Sequence, residues 1–199
     1  MLEKISSEII NIFWRKKQLT DEQSDILQYF IQFLVFNLGG LILVYTSAAI
    51  LNILIEVIVI HLSFWFLKQF SGGLHARKPS ICLLVTCVLF LAIPSIFIKL
   101  SFALPIWLTV ILFLVQAVLL AKYAPADTEN NPLVYVKQRR NRKIISLGII
   151  SIYFLLSMVF KQYCIYLVYG SLVATLTALP LTYKIVKQKY RNYEDYVQM

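Results

Sequence analysis

Cys82 and His75 are the two side chains in this sequence best suited to covalent chemistry. They lie seven positions apart in the run Gly72-Gly73-Leu74-His75-Ala76-Arg77-Lys78-Pro79-Ser80-Ile81-Cys82, a short basic loop between two long apolar stretches. A thiol beside an imidazole is the nucleophile-plus-base arrangement of cysteine peptidases, the ring taking the proton from sulfur. Pro79 suits the first position of a helix, where a missing N–H costs nothing. Cys82 then falls in the first turn, among N–H groups without intrahelical acceptors. The positive end of that helix stabilises a thiolate, and Arg77 and Lys78 add charge of the same sign. The same N–H groups are placed to serve as an oxyanion hole. Gly72 and Gly73 predict a flexible loop that a peptide substrate can approach closely. Asp127 is a candidate to orient the imidazole, although an aspartate there fits a turn or cap better. On spacing alone, a packed thiol and a solvated loop histidine are the commoner outcome. Cys87 points away from Cys82 around the helix and reads as packing. Cys164 falls at the opposite membrane face. Two histidines without clustered carboxylates do not make a standard metal site, so no metal or cofactor is expected.

The elements that position this loop are read from the apolar runs. The chain has 199 residues, 59% of them hydrophobic, with a mean hydropathy of +0.73. A soluble domain of this size cannot bury so much apolar surface, which predicts a single all-α integral membrane domain over residues 1–199 with the lipid bilayer as partner. Residues 1–19 show helical amphipathicity and predict an interfacial helix. Their N-terminal part lacks a short apolar core with a small-residue cleavage site, so no removable signal is expected. Thr20, with Gln23 three residues on, predicts an N-cap and capping box. Phe30 to Leu67 is 38 residues; as one helix it would reach about 57 Å, twice the hydrocarbon thickness, so it must be a hairpin of two spans. The turn is expected near Thr46 to Asn52. A third span runs from Ser80 to Ile98, kinked at Pro94. A fourth is centred on Pro105 to Ala121, a fifth on Ile144 to Phe160, and a sixth on Tyr163 to Tyr183. Gly170, Ala174 and Ala178 put small residues along one face of the sixth, suiting a helix–helix contact within or between chains.

Charge sets the expected orientation. With six spans, all the lysines and arginines fall on the termini side except Lys99 and Lys161. That bias predicts both termini and the His75 loop in the cytoplasm, residues 68–82 forming a catalytic loop and helix start. The net charge of +9 is therefore a property of membrane loops, and nothing resembles a nucleic-acid fold. Three cysteines without framework spacing argue against structural disulfides. Asn52, Glu56 and Ser63 share a stripe, with His61 off to the side; it lines a polar cavity or, more plainly, bonds to another helix.

Phe70-Ser71-Gly72-Gly73-Leu74-His75-Ala76 followed by Cys82, and Tyr123-Ala124-Pro125-Ala126-Asp127 with Pro132-Leu133 downstream, resemble the AgrB family of membrane peptidases in bacterial quorum sensing. Length, span pattern and basic loops agree, so the resemblance covers nearly the whole chain. It implies Cys82 and His75 as catalytic pair, Gly73 as the glycine ahead of the histidine, and Lys68 where the family typically has arginine. It also implies an AgrD-type propeptide with an acidic tail as substrate, and a homodimer. Cys82 would cleave before the tail, and the acyl-enzyme thioester would pass to a thiol or hydroxyl within the peptide, closing a thiolactone or lactone. Lys68, Arg77, Lys78, Arg139 and Arg140 are then the candidate tail-binding cations. The competing class is a small exporter of peptide or solute, for which the cysteine is dispensable.

Overall fold

The structure, a computed structural model, describes residues 8, 20–74, 79–129 and 131–197. The amphipathic segment predicted at 1–19 lies outside this set except for Glu8, which is helical. Helix α1 (Asp21–Ile50) opens on the capping box read from the sequence: Gln23 N–H donates to Thr20 Oγ1 at 3.3 Å and Thr20 N–H donates to Gln23 Oε1 at 3.2 Å. The hairpin turns at Leu51–Ile53, the end of the expected window, with Asn52 at φ 56°. Helix α2 (Leu54–Ser71) returns to the loop that begins at Gly72.

The predicted third span is helix α3 (Pro79–Cys87), a π-helical turn Val88–Ala92 and helix α4 (Ile93–Lys99). Pro94 has no N–H to continue the i→i−4 ladder, and the irregularity is taken up just ahead of it, where Ile93 N–H reaches Val88 O. Helix α5 (Ile106–Tyr123) is the expected fourth span. Helix α6 (Val136–Val159) starts two turns earlier than its apolar core, so the basic run Arg139–Lys143 is helical. Helix α7 (Cys164–Thr177) stops ahead of Pro180, and α8 (Pro180–Ile185) and α9 (Glu194–Val197) are short.

Among the described residues, five helices are long and apolar enough to cross a membrane: Glu22–Ile50, Leu54–Ser71, Ser80–Lys99, Ile106–Tyr123 and Val136–Val159. The chain is a multi-pass membrane protein. The predicted sixth span is not one such helix, because Pro180 divides it and leaves α7 with 14 residues, about 21 Å. Helix α7 is also the most enclosed element, packed on α2, α5 and α6. A Cβ on Gly170 would sit 2.0 Å from Ser63 Oγ and 2.4 Å from Ile60 O. The small-residue face therefore serves a contact within one chain, letting α7 lie directly against α2. Ser63 is covered by the same contact, and its carbonyl accepts a bond from Tyr153 Oη at 3.1 Å. Helix–helix bonding thus accounts for that member of the polar stripe. His61 Nδ1 lies 2.8 Å from Tyr45 Oη.

Candidate functional site

Gly72 and Gly73 end α2 with φ of +69° and +114°, values that favour residues lacking Cβ. Their close approach is to the chain's own backbone. Gly73 N–H donates to Ala126 O at 3.0 Å, Ala126 N–H to Ser71 O at 2.8 Å, and Leu74 N–H to Thr177 O at 3.1 Å. A Cβ on Gly72 would meet Ala126 O at 1.9 Å, and one on Gly73 would meet Thr177 Oγ1 at 2.6 Å. The flexible segment expected here is instead stitched in place as far as Leu74, which is buried against Ala126, Ala178 and Tyr183.

Lys68, one turn back on α2, completes the arrangement. Its Nζ donates to Leu74 O at 2.6 Å and stands 5.3 Å from the Phe64 ring centroid. Cys82 is a free, half-buried thiol near the start of α3. The residue immediately before His75 is thus fixed by the Lys68 side chain. His75, Arg77 and Lys78 themselves lie outside the described residues.

The strap over Gly72 and Gly73 is held by Asp127, which is 3% exposed. Its carboxylate accepts from Tyr193 N–H at 2.7 Å, Asn192 N–H at 2.9 Å and Leu133 N–H at 3.4 Å. Its carbonyl accepts from Tyr183 Oη at 2.6 Å, and Tyr123 O accepts from Tyr190 Oη at 3.1 Å. Burial pushes the Tyr190 phenol up, with Arg191 pulling it the other way, so the group remains a neutral donor. Asp127 thus takes the turn-and-cap role that fits its residue type, tying the tail of the chain to the loop.

A cleft of about 390 Å³ opens beside this strap, bordered by Trp65, Lys68, Gly72, Gly73, Asp127 and Arg142. Arg139 and Arg140 line a separate pocket. Among the described residues, the arginine bordering the glycine turn is therefore Arg142, which residue type could not single out within the run. Helical phase could have done so, once α6 was known to begin at Val136. Cys87 is half-buried, and Cys164 Sγ lies 3.3 Å from Thr109 Oγ1 at the far end of the bundle.

A family model described as Accessory gene regulator B matches residues 6–179. The chain belongs to the AgrB family. An AgrB-like protein of Listeria innocua serovar 6a is 30% identical over 196 residues, covering 96% of this chain and 95% of its own length. An AgrB-like protein of Listeria monocytogenes serotype 4b is equally similar, at 30% over 196 residues with the same coverage. AgrB-like protein 2 of Clostridium perfringens is 29% identical over 158 residues, 77% of this chain and 74% of its own. These names assign likeness to AgrB and nothing further. No solved structure matches the chain.

Proposed function

We propose that this AgrB-family chain is a membrane-embedded cysteine endopeptidase that trims an AgrD-type propeptide and promotes its ring closure for quorum sensing. One observation carries the proposal: Lys68 binds Leu74 O and so holds the loop at the residue next to His75. A nucleophile and the loop bearing its base need a fixed relation, and a lysine that holds the loop at Leu74 contributes to it.

In the first stage the Cys82 thiolate attacks the carbonyl carbon of the peptide bond before the tail. The C–N bond breaks, His75 returns the proton to the departing amine, and the peptide remains as a thioester. In the second stage a thiol or hydroxyl within the peptide gives its proton to His75 and attacks that carbonyl, the Cys82 thiolate leaves, and the ring closes. Forming a thioester from an amide is uphill, whereas exchange between thioesters is near neutral, so removal of the tail draws the sequence forward. Water must lose to the tethered nucleophile, which favours an enclosed cleft over an open loop.

Tail recognition falls to the cations around that cleft. Lys68 spends one of its three N–H donors on Leu74 and keeps two. Arg142 borders the same cleft, and Arg77 and Lys78 belong to the loop itself. We place the loop and both termini in the cytoplasm on the lysine and arginine bias. Helix α7 then makes the sixth crossing, sheathed by protein. It runs from Cys164 beside Thr109, near the start of α5, to Thr177 beside Leu74. We also propose a homodimer, as expected from the family resemblance.

The test co-expresses the chain with a candidate propeptide and measures the released tail by mass. Cys82→Ala and His75→Ala should each abolish release at unchanged protein level, while Cys87→Ala should not. Peptide flux that survives Cys82→Ala, with no tail released by the wild type, would favour an exporter instead.

A further inference from the structure

The seam between α5 and α6 carries two features that peptide cleavage leaves unused. The first is a basic pocket of about 290 Å³, where the last turn of α5 meets the first two turns of α6. Lys122, Arg139, Arg140, Lys143 and Arg191 line it, and among the described residues no carboxylate does. Two of these cations are occupied by the fold. Arg139 Nη1 donates to Leu133 O at 2.8 Å and Val134 O at 2.9 Å, its guanidinium lying 4.0 Å from the Tyr193 ring centroid. Arg191 pairs with Glu194 at 3.3 Å. Arg140 and Lys143 have no hydrogen-bond or ion-pair partner among the described residues, although Lys143 is half-buried. An anion between them would offset the cost of half-burying Lys143 without a partner.

The second feature is an apolar groove of about 340 Å³ further along the same two helices, formed by Val110, Phe113, Ala117, Ile150, Ser151 and Phe154. Arg140, Lys143, Leu147, Ile150, Ser151 and Phe154 recur at helical spacing, so one face of α6 serves pocket and groove alike. Lys143 and Ile150 are seven residues apart, about 10 Å along the axis. An anionic phosphate joined to a long apolar chain matches this sequence of surfaces. Free phosphate has nothing to place in the groove, and an acidic peptide has no acyl chain.

We propose that the α5–α6 seam is a binding site for an anionic phospholipid, its phosphate between Arg140 and Lys143 and one acyl chain in the groove beside Ser151. Basic pockets between membrane helices bind such headgroups in general. The site is distinct from the cleft at Lys68 and does not depend on peptidase activity.

The test titrates the full chain, in neutral detergent, with dioleoyl phosphatidylglycerol or dioleoyl phosphatidylcholine and counts retained lipid by native mass spectrometry. The expected result is one lipid per chain, with the anionic lipid held about tenfold more tightly or better. Arg140→Gln combined with Lys143→Gln removes that preference, and Lys99→Gln, beyond the opposite end of the seam, keeps it. Ser151→Phe fills the groove from its exposed side, weakening the dioleoyl lipid severalfold and leaving dihexanoyl phosphatidylglycerol unchanged. Equal retention of the two headgroups, or a preference that survives the double substitution, overturns the proposal. Displacement by inorganic phosphate at the lipid's own concentration overturns it in favour of a free anion site. Displacement by a short polyglutamate peptide overturns it in favour of the substrate's tail.

Discussion

The cleft beside Gly72 and the pocket beside Arg140 are both basic and both sit where long apolar helices end, yet their charges are used differently. In the cleft, Lys68 is bound to Leu74 O and Asp127 to three backbone amides, so polar groups are engaged in holding the loop. In the pocket, Arg140 and Lys143 stand without partners among the described residues, and none of the described residues lining it is an acid. The lesson is that a cation's role follows from what already satisfies it: a bonded one positions first and binds only with the donors it has left, and an unbonded one has all of its donors for a ligand.

Substitutions can break that comparison. The largest expected effect is at Gly72, where alanine would bring Cβ to 1.9 Å from Ala126 O at a positive φ. Gly72→Ala should cost about 3 kcal/mol or more, read as a lowered melting temperature in detergent and lost tail release. Asp127→Ala comes next, leaving the amides of Asn192, Tyr193 and Leu133 to find other acceptors. A loss of about 3 kcal/mol is expected, with faster proteolysis of the C-terminal segment; Asp127→Asn should lose less. Lys68→Met removes the bond to Leu74 O but leaves the glycine ladder intact. Tail release should fall about tenfold to a hundredfold at unchanged protein level, with altered alkylation of Cys82. The smallest effect on the fold is expected from Arg140→Gln with Lys143→Gln, within about 0.5 kcal/mol in lipid-free detergent. If that pair destabilised the protein more than Lys68→Met did, the contrast between the two regions would be wrong.

Much of the fold was readable because membrane helices announce themselves by length and apolarity. The Thr20 cap, the hairpin turn near Asn52, the irregularity ahead of Pro94 and the small-residue face of Gly170 all follow from local chemistry. Two helix limits did not. Helix α6 begins within residues whose charge reads as loop, since a helix end exposed to water or headgroups tolerates lysine and arginine. The predicted sixth span is divided by Pro180, and its central position excuses α7 from presenting a full-length apolar face to lipid. At the site, Cys82 and the glycines stood out by type and spacing. Asp127's bonds to the amides of Asn192 and Tyr193 join residues 65 and 66 positions apart, and no local pattern encodes such pairings.

The binding of Asn192 and Tyr193 to Asp127 also bears on genetics. A stop codon at Arg191 would delete nine residues, all beyond the long helices. Insertion into the bilayer should proceed normally, because every long hydrophobic segment has already been made. Yet the aspartate under the glycine turn would lose two of its anchors, and strains carrying such late truncations should be signal-negative despite a normal amount of protein in the membrane.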